Sequence, residues 1–187
     1  MSLTRDDVLS AAVEILDSYG LADLTMRRLA ANLGVQPGAL YWHFANKQTL
    51  LAAIADLILS DLELTNTADW QAGLQNWANQ FHQLLRAHRS GAELVSSVLA
   101  LRDWTQSPGI AIEKLLIANG ISADIAYAGA ANLLHLVLGH TFDEEQSIQL
   151  VELGVKDKNQ VKPEELQKVL ATGVQLIISG LENTLVN

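Results

Sequence analysis

Between Arg27 and Lys47 the chain carries Arg27, Arg28, Tyr41, Trp42, His43 and Lys47 with no acidic residue among them. Guanidinium, ammonium, imidazole and phenol groups of this kind donate to phosphate oxygens. Pro37, Gly38 and Ala39, just ahead of them, are small enough for close approach to a groove, and the Ala39 methyl can touch a thymine methyl. Arg27, on the cap side of its segment, is the phosphate candidate; Arg28 reads as a solvated face. Consecutive Tyr41 and Trp42 diverge by about 100° on a helix, so both cannot enter one small core. They read either as a DNA-facing pair or as packing under the next helix. Leu29, Leu33, Val35, Leu40 and Phe44 read as ordinary core.

Further along, Trp77, Phe81, Trp104 and His135 are large or polar groups among apolar Val95, Val98, Leu99 and Ile112, which suggests a ligand cavity. Trp77 reads equally well as core, and His135, on a very apolar helix, equally well as a hydrogen-bonded core histidine. A metal is not expected. His135 and His140 are five apart, a poorer fit to one helix face than three or four, and Asp143-Glu144-Glu145 reads as a solvated acidic end. Neither a nucleophile elbow nor a phosphate-cradling glycine loop occurs, so catalysis is not expected. A small helical hydrolase working through His135 is kept as a distant reading.

The elements that must position these groups follow from caps and periodicity. Thr4 with Asp7 three residues on opens a first helix, which Gly20 stops. Thr25 caps a second over Met26–Leu33, Gly34-Val35 breaks it, and Gln36–Phe44 forms a third with Pro37 in its first turn. Two short helices around a glycine turn make a helix-turn-helix. Asn46 caps a fourth helix running to about Glu63, and Thr65–Ala68 reads as a connection. Asp69 caps a fifth ending at His88–Gly91. A sixth covers Ala92–Leu101 and a seventh Pro108–Ala118. An eighth runs from Ser122 or Asp124 to Asp143 or beyond, Val155–Val161 is a loop, and Pro163 starts a last helix to about Asn183. The expectation is an all-α fold: a three-helix helix-turn-helix DNA-binding head over 1–46 and a helical ligand-binding and dimerisation body over 47–187, with 47–63 as the connecting helix.

In the last helix, Leu166, Leu170, Gly173, Ile177, Gly180 and Leu181 share a face, and glycines one heptad apart invite a close helix neighbour. The eighth helix is apolar nearly all round, with Ala128-Gly129-Ala130-Ala131 near its start. Ala128, Leu170, Gly173, Ile177, Gly180 and Leu181 are therefore candidates for a symmetric dimer interface; an intramolecular core is the alternative.

Composition agrees. The chain has 187 residues with 49% hydrophobic and 18% charged residues, 12 glycines and three prolines, which excludes wholesale disorder and suits a helical fold. With no cysteine, a disulfide scaffold, a thiol nucleophile and a cysteine-ligated zinc are excluded. Net charge is −9, yet of the 12 basic and 21 acidic side chains residues 1–47 hold four and five, so the acid lies mainly beyond the head. The N-terminus has neither the basic nor the apolar region of a signal peptide. Runs such as Leu133–Leu138 are too short to span a bilayer. A cytoplasmic protein with no membrane partner is the expectation.

Leu24-Thr25-Met26-Arg27-Arg28-Leu29-Ala30, Leu33-Gly34-Val35 and Leu40-Tyr41-Trp42-His43-Phe44-Ala45-Asn46-Lys47 resemble the head of the TetR family of one-component repressors. The likeness is nearest to its tetracycline-responsive subgroup and reaches the body through Trp70-Gln71, Leu84-Leu85, His88-Arg89, Gly91-Ala92 and Leu176–Glu182. The resemblance implies a homodimer reading a palindromic double-stranded operator. Arg27, Pro37, Gly38, Ala39, Tyr41, Trp42, His43 and Lys47 match DNA-surface positions. Met26, Gly38 and Ala39 are apolar where the subgroup is partly hydroxylated, and the proline is shifted by one, so the operator sequence does not carry over.

In the body, His135 and Asp143 match a ligand-contacting histidine and glutamate, and Phe81 matches an aromatic wall. The subgroup's metal-binding histidine falls on Val95, its neighbouring threonine and arginine on Val98 and Leu99, and a further histidine on Glu63. The resemblance thus implies no magnesium–tetracycline site, no resident cofactor, and a small, largely apolar effector that enters between the fifth to eighth helices. A helix-turn-helix adaptor that binds a protein through Tyr41 and Trp42 is the alternative.

Overall fold

A computed structural model describes residues 3–64, 69–101, 104–160 and 162–185, the Gln160 side chain excepted. All regular elements among them are helical: α1 (Arg5–Tyr19), α2 (Met26–Asn32), α3 (Pro37–Leu40), α4 (Lys47–Ile58), α5 (Trp70–Arg86), α6 (Gly91–Leu99), α7 (Pro108–Ala118), α8 (Ala123–Glu152) and α9 (Pro163–Leu185), with short 3-10 turns at Leu21–Asp23 and Lys158–Gln160. The all-α expectation holds. None of these helices is long and apolar enough to cross a membrane. The connection expected at Thr65–Ala68, and Val161 at the end of the expected loop, lie outside the described residues.

Two compact units divide the chain, Met1–Asp61 with Leu84–Trp104, and Leu62–Gln83 with Thr105–Asn187. In the first, Thr4 and Asp7 close a reciprocal capping box on α1: the Asp7 N–H donates to the Thr4 hydroxyl (3.1 Å) and the Thr4 N–H to the Asp7 carboxylate (2.8 Å). Thr25 caps α2 through the Arg28 N–H, and Asn46 caps α4 through the Thr49 N–H. Gly34 sits at φ +66, the left-handed turn between α2 and α3 that a side chain would strain. The core is Val8, Ala12, Ile15, Leu16, Leu24, Leu29, Leu40, Phe44, Leu50 and Ile54, all buried. Each large apolar side chain so buried contributes about 1.5–3 kcal/mol. Leu33 and Val35 are only half-buried.

Three helices end earlier than their periodicity suggests. Helix α3 stops at Leu40 rather than Phe44. Asn46 must be extended (φ −160, ψ 178) to cap α4, so the chain leaves the helix beforehand, and Leu40 O takes both the His43 and Phe44 N–H groups at 3.0 Å. Helix α4 stops at Ile58 rather than near Glu63, the Ser60 N–H closing a tighter turn on the Leu57 carbonyl at 3.2 Å. Helix α6 ends at Leu99.

In the second unit α8 packs between α7 and α9. Leu170, Val174, Ile178 and Leu181 form the buried face of α9, and Ala126, Ala130, Leu133, Leu134, Val137 and Leu138 that of α8. The helices approach closely at Gly129, where a Cβ would lie 2.7 Å from Leu181 Cδ2. The Gln71 amide donates to Glu182 (2.9 Å) and the Gln75 amide to Gln175 (2.7 Å), joining α5 to α9. Although apolar nearly all round, α8 leaves Ile125, Tyr127, Ala128, Asn132, His135 and Phe142 exposed in the protomer.

Candidate nucleic-acid interface and regulatory body

Because α3 ends at Leu40, Tyr41 and Trp42 occupy the turn that follows it rather than its flank. Leu40 and Phe44 on either side are buried and anchor that turn, leaving Tyr41 51% and Trp42 90% exposed. The reading of these rings as packed under the next helix is therefore set aside. Pro37 and Gly38 are exposed at the start of α3, Ala39 is half-buried, and a Cβ on Gly38 would meet nothing within 4 Å.

Arg27 is exposed on α2. Arg28 is engaged inside the head, paired with Asp23 and stacked 3.7 Å over the Tyr19 ring. Half-buried His43 and Lys47 follow the aromatic turn, Lys47 as the first residue of α4. The Asp7 carboxyl is held below its ordinary range by the Thr4 hydroxyl, then by the Thr4 N–H, with a smaller contribution from the charge of His43. Apolar and open groups thus lead, and donors flank them, on a surface free of acidic side chains from residue 27 to 47.

The expected effector residues divide between the units. Val95 and Val98 are fully buried, Leu99 is half-buried, and the Trp104 indole N–H donates to Asp56 of α4 at 2.7 Å, all in the first unit. In the second, Trp77 and Phe81 are buried with ring centroids 4.9 Å apart, and Ile112 is fully buried. Glu63 and Asp143 are exposed, and the Glu63 N–H donates to Gln80 at 3.3 Å. His135 is not core. It is exposed and lines an open groove of about 600 Å³ with Ile125, Ala128, Asn132, Leu136, Ile177, Gly180 and Thr184.

The expected dimer-face residues differ in how far they are covered within the protomer. Leu170 and Leu181 are 2% and 5% exposed within the protomer, and a Cβ on Gly173 would lie 3.0 Å from Leu136 of α8. These three serve intramolecular packing. Ala128, Ile177 and Gly180 stay accessible, and Leu176 beside them is 69% exposed.

One cluster escaped the sequence reading. Buried His82 of α5 and Glu144 of α8 meet at 2.8 Å (Nε2 to Oε2), and His140 lies one turn before Glu144, its Nε2 3.4 Å from Oε1. The four-residue spacing of His140 and Glu144 was readable. Their partner His82, 62 residues from Glu144, was not.

Residues 8–54 match the family model described as bacterial regulatory proteins, tetR family. The class E tetracycline repressor of Escherichia coli is 34% identical over 152 residues, which cover 79% of this chain and 72% of that repressor. The crystal structure of Mycobacterium smegmatis BioQ is 39% identical with a TM-score of 0.83, covering 96% of this chain and 97% of that one. A BioQ structure with its double-stranded DNA operator is 38% identical with a TM-score of 0.79, over 96% and 98% of the two chains. Regulators of this family are generally non-enzymatic. The chain belongs to the TetR family of bacterial regulatory proteins and is a ligand-responsive, DNA-binding transcriptional regulator.

Proposed function

We propose that the chain is a cytoplasmic, non-catalytic repressor whose homodimer grips a palindromic operator through residues 1–46 and is released by a small, largely apolar effector bound in 47–187. The observation that carries the DNA-reading role is the Trp42 ring, 90% exposed at the tip of a small helical head, since an aromatic left outside calls for a partner. Pro37, Gly38 and Ala39 would face base edges, while Arg27, Tyr41, His43 and Lys47 would contact phosphates. The operator-bound BioQ relative supports this reading. Two heads about 34–36 Å apart would enter successive major grooves on one face of the duplex.

The accessible stripe of Ala128, Ile177 and Gly180 on α8 and α9 supports assigning the dimer to this face, with His135 moved from the effector to the interface. For the effector we retain as candidates Val95, Val98, Leu99 and Trp104 of the first unit and, taken by themselves, Glu63, Trp77, Phe81, Ile112 and Asp143 of the second. Valines at 95 and 98 supply no metal ligand, which favours an apolar molecule over a magnesium chelate. Helix α4 packs on α6 in the first unit, so an effector that displaces α6 would shift α4 and with it the head. A difference of about 1.4 kcal/mol between the two states changes operator affinity tenfold.

Selection of bound sequences from random duplexes, followed by anisotropy titrations on the recovered site, tests the reading. A palindromic site bound with strong salt dependence is the expected result. Binding of a protein partner through Tyr41 and Trp42 with no salt-dependent DNA affinity would overturn it. Magnesium-dependent binding of tetracycline at micromolar strength would overturn the effector assignment.

A further inference from the structure

The His82–His140–Glu144 cluster lies in the second unit, on α5 and α8, and includes no residue assigned above to DNA or to the dimer. His82 and Glu144 are buried and His140 half-buried, with side chains 11%, 6% and 9% exposed, and their ligating atoms all lie within 4.8 Å of one another. His140 and Glu144, four apart on α8, project from one helix face, and His82 reaches them from α5. The rings of His82 and His140 lie 5.7 Å apart and tilted, so both Nε2 atoms converge on the same carboxylate.

One feature of this cluster is unsatisfied by the protein alone. Although His140 Nε2 lies 3.4 Å from Glu144 Oε1, it makes no hydrogen bond there, and the atom is fully buried. Buried polar atoms nearly always have a partner, because leaving one unpaired forfeits its hydration without return. A lone pair on imidazole nitrogen beside a carboxylate and a second imidazole is a ligand set for a borderline divalent cation. Magnesium, which prefers oxygen ligands and retains its waters, does not suit it.

We propose that His82, His140 and Glu144 bind a zinc-class divalent cation through two Nε2 atoms and one carboxylate oxygen, with a fourth position left for water or a ligand. Bonds of about 2.0–2.2 Å in tetrahedral geometry place neighbouring ligand atoms roughly 3.3 Å apart. The 2.8 and 3.4 Å separations already bracket that value. The longest separation, within 4.8 Å, closes by rotation of the side chains without a change of fold. Occupancy would join α5 to α8 by a coordinate link in place of the His82–Glu144 hydrogen bond. The site uses none of the residues assigned to the operator or the effector, although His82 adjoins Phe81 and Glu144 adjoins Asp143 in the chain.

The full-length protein, stripped with chelator, is titrated with Co²⁺ and then with Zn²⁺ against a chromogenic competitor, with thermal midpoint as a parallel readout. The expected result is one Co²⁺ per protomer with visible bands of a nitrogen- and oxygen-ligated tetrahedral or five-coordinate ion, displaced by Zn²⁺, and a raised midpoint. Glu144→Gln, which preserves shape, and His140→Asn should each weaken Zn²⁺ affinity at least tenfold while leaving helix content by circular dichroism unchanged. His88→Gln, at a histidine of the first unit paired with Asp17 and outside the cluster, should leave Zn²⁺ affinity unaltered. Failure of the wild-type chain to bind one equivalent, or binding that survives both cluster substitutions, overturns the proposal. Should either variant fail to fold, the wild-type Co²⁺ spectrum decides alone, with bands of an octahedral all-oxygen ion contradicting the site.

Discussion

The indole N–H of Trp104 donates to the carboxylate of Asp56 at 2.7 Å, fastening the segment after α6 to the last turn of α4. Trp104 was expected to wall a ligand cavity, yet its polar edge is committed to the helix that follows the head. A hydrogen bond to a charged, partly exposed acceptor is worth about 1 kcal/mol net. Asp56→Ala and Trp104→Phe should each lower stability by about that amount in urea unfolding. Under the proposed mechanism both should also raise the effector concentration needed to release operator, with operator affinity in the absence of effector little changed. A double variant no worse than the singles would confirm that the two side chains act as one contact.

Glycine at position 91 is a steric requirement. A Cβ there would lie 2.2 Å from the Leu85 carbonyl oxygen and 3.0 Å from its carbon, backbone atoms that no side-chain rotation can move. Gly91→Ala should therefore destabilise the chain by about 2–3 kcal/mol despite its better helix propensity, as overpacking of a rigid contact does. Denaturant titration reads this directly. A neutral or stabilising result would mean that the turn from α5 to α6 rearranges freely.

Gly180 is the opposite case. No atom lies within 4 Å of a Cβ built there, and the residue lines the open groove on α8 and α9. In a lone protomer a side chain at this position gains helix propensity of up to about 1 kcal/mol. If the groove receives a second copy, the same change obstructs it. Gly180→Arg should retain helix content but shift sedimentation equilibrium toward monomer by at least tenfold in dissociation constant. An unchanged dimer places the partner elsewhere.

Acid should loosen the start of α1. The Asp7 carboxyl sits below its usual range because the deprotonated form accepts from Thr4. A group whose folded value is depressed adds stability above the unfolded carboxylate value and loses it as pH falls through the folded one. Hydrogen exchange at the amides of Thr4 and Asp7 should accelerate below the ordinary carboxylate range, while the amides of α2, capped by neutral Thr25, stay protected. Asp7→Asn should flatten the pH dependence at α1.

The local signals were legible in the chain. Thr4 with Asp7, Thr25 and Asn46 cap the helices they were expected to cap, and α7 keeps its expected bounds at Pro108–Ala118. Each such cap is a bond spanning three residues, so sequence contains both partners. What required a choice between two local structures was less legible. Leu40 and Phe44 fit one continued helix, but the extended Asn46 forces a turn, and this places Tyr41 and Trp42 at the tip.

Long-range relations were not legible. Of the two glycines one heptad apart on α9, Gly173 has the expected close helix neighbour, Leu136 of the same chain, whereas nothing lies within 4 Å of a Cβ at Gly180. Periodicity names a face without naming what covers it. In the same way His140 was weighed against His135, on another face of α8, when its neighbours are Glu144 one turn on and His82 from α5. Buried polar pairing across 62 residues leaves no spacing to read.

Operator binding as a function of salt tests the central claim most directly, with wild type compared against Trp42→Ala and Lys47→Ala. Trp42 is nearly free of the protein, so its loss should alter stability by less than about 0.5 kcal/mol yet cost about tenfold or more in operator affinity, roughly 1.4 kcal/mol. Lys47→Ala should reduce the slope of log affinity against log salt by about one unit. Wild-type affinity indifferent to salt, or a Trp42→Ala protein that binds the operator as the wild type does, would contradict the account.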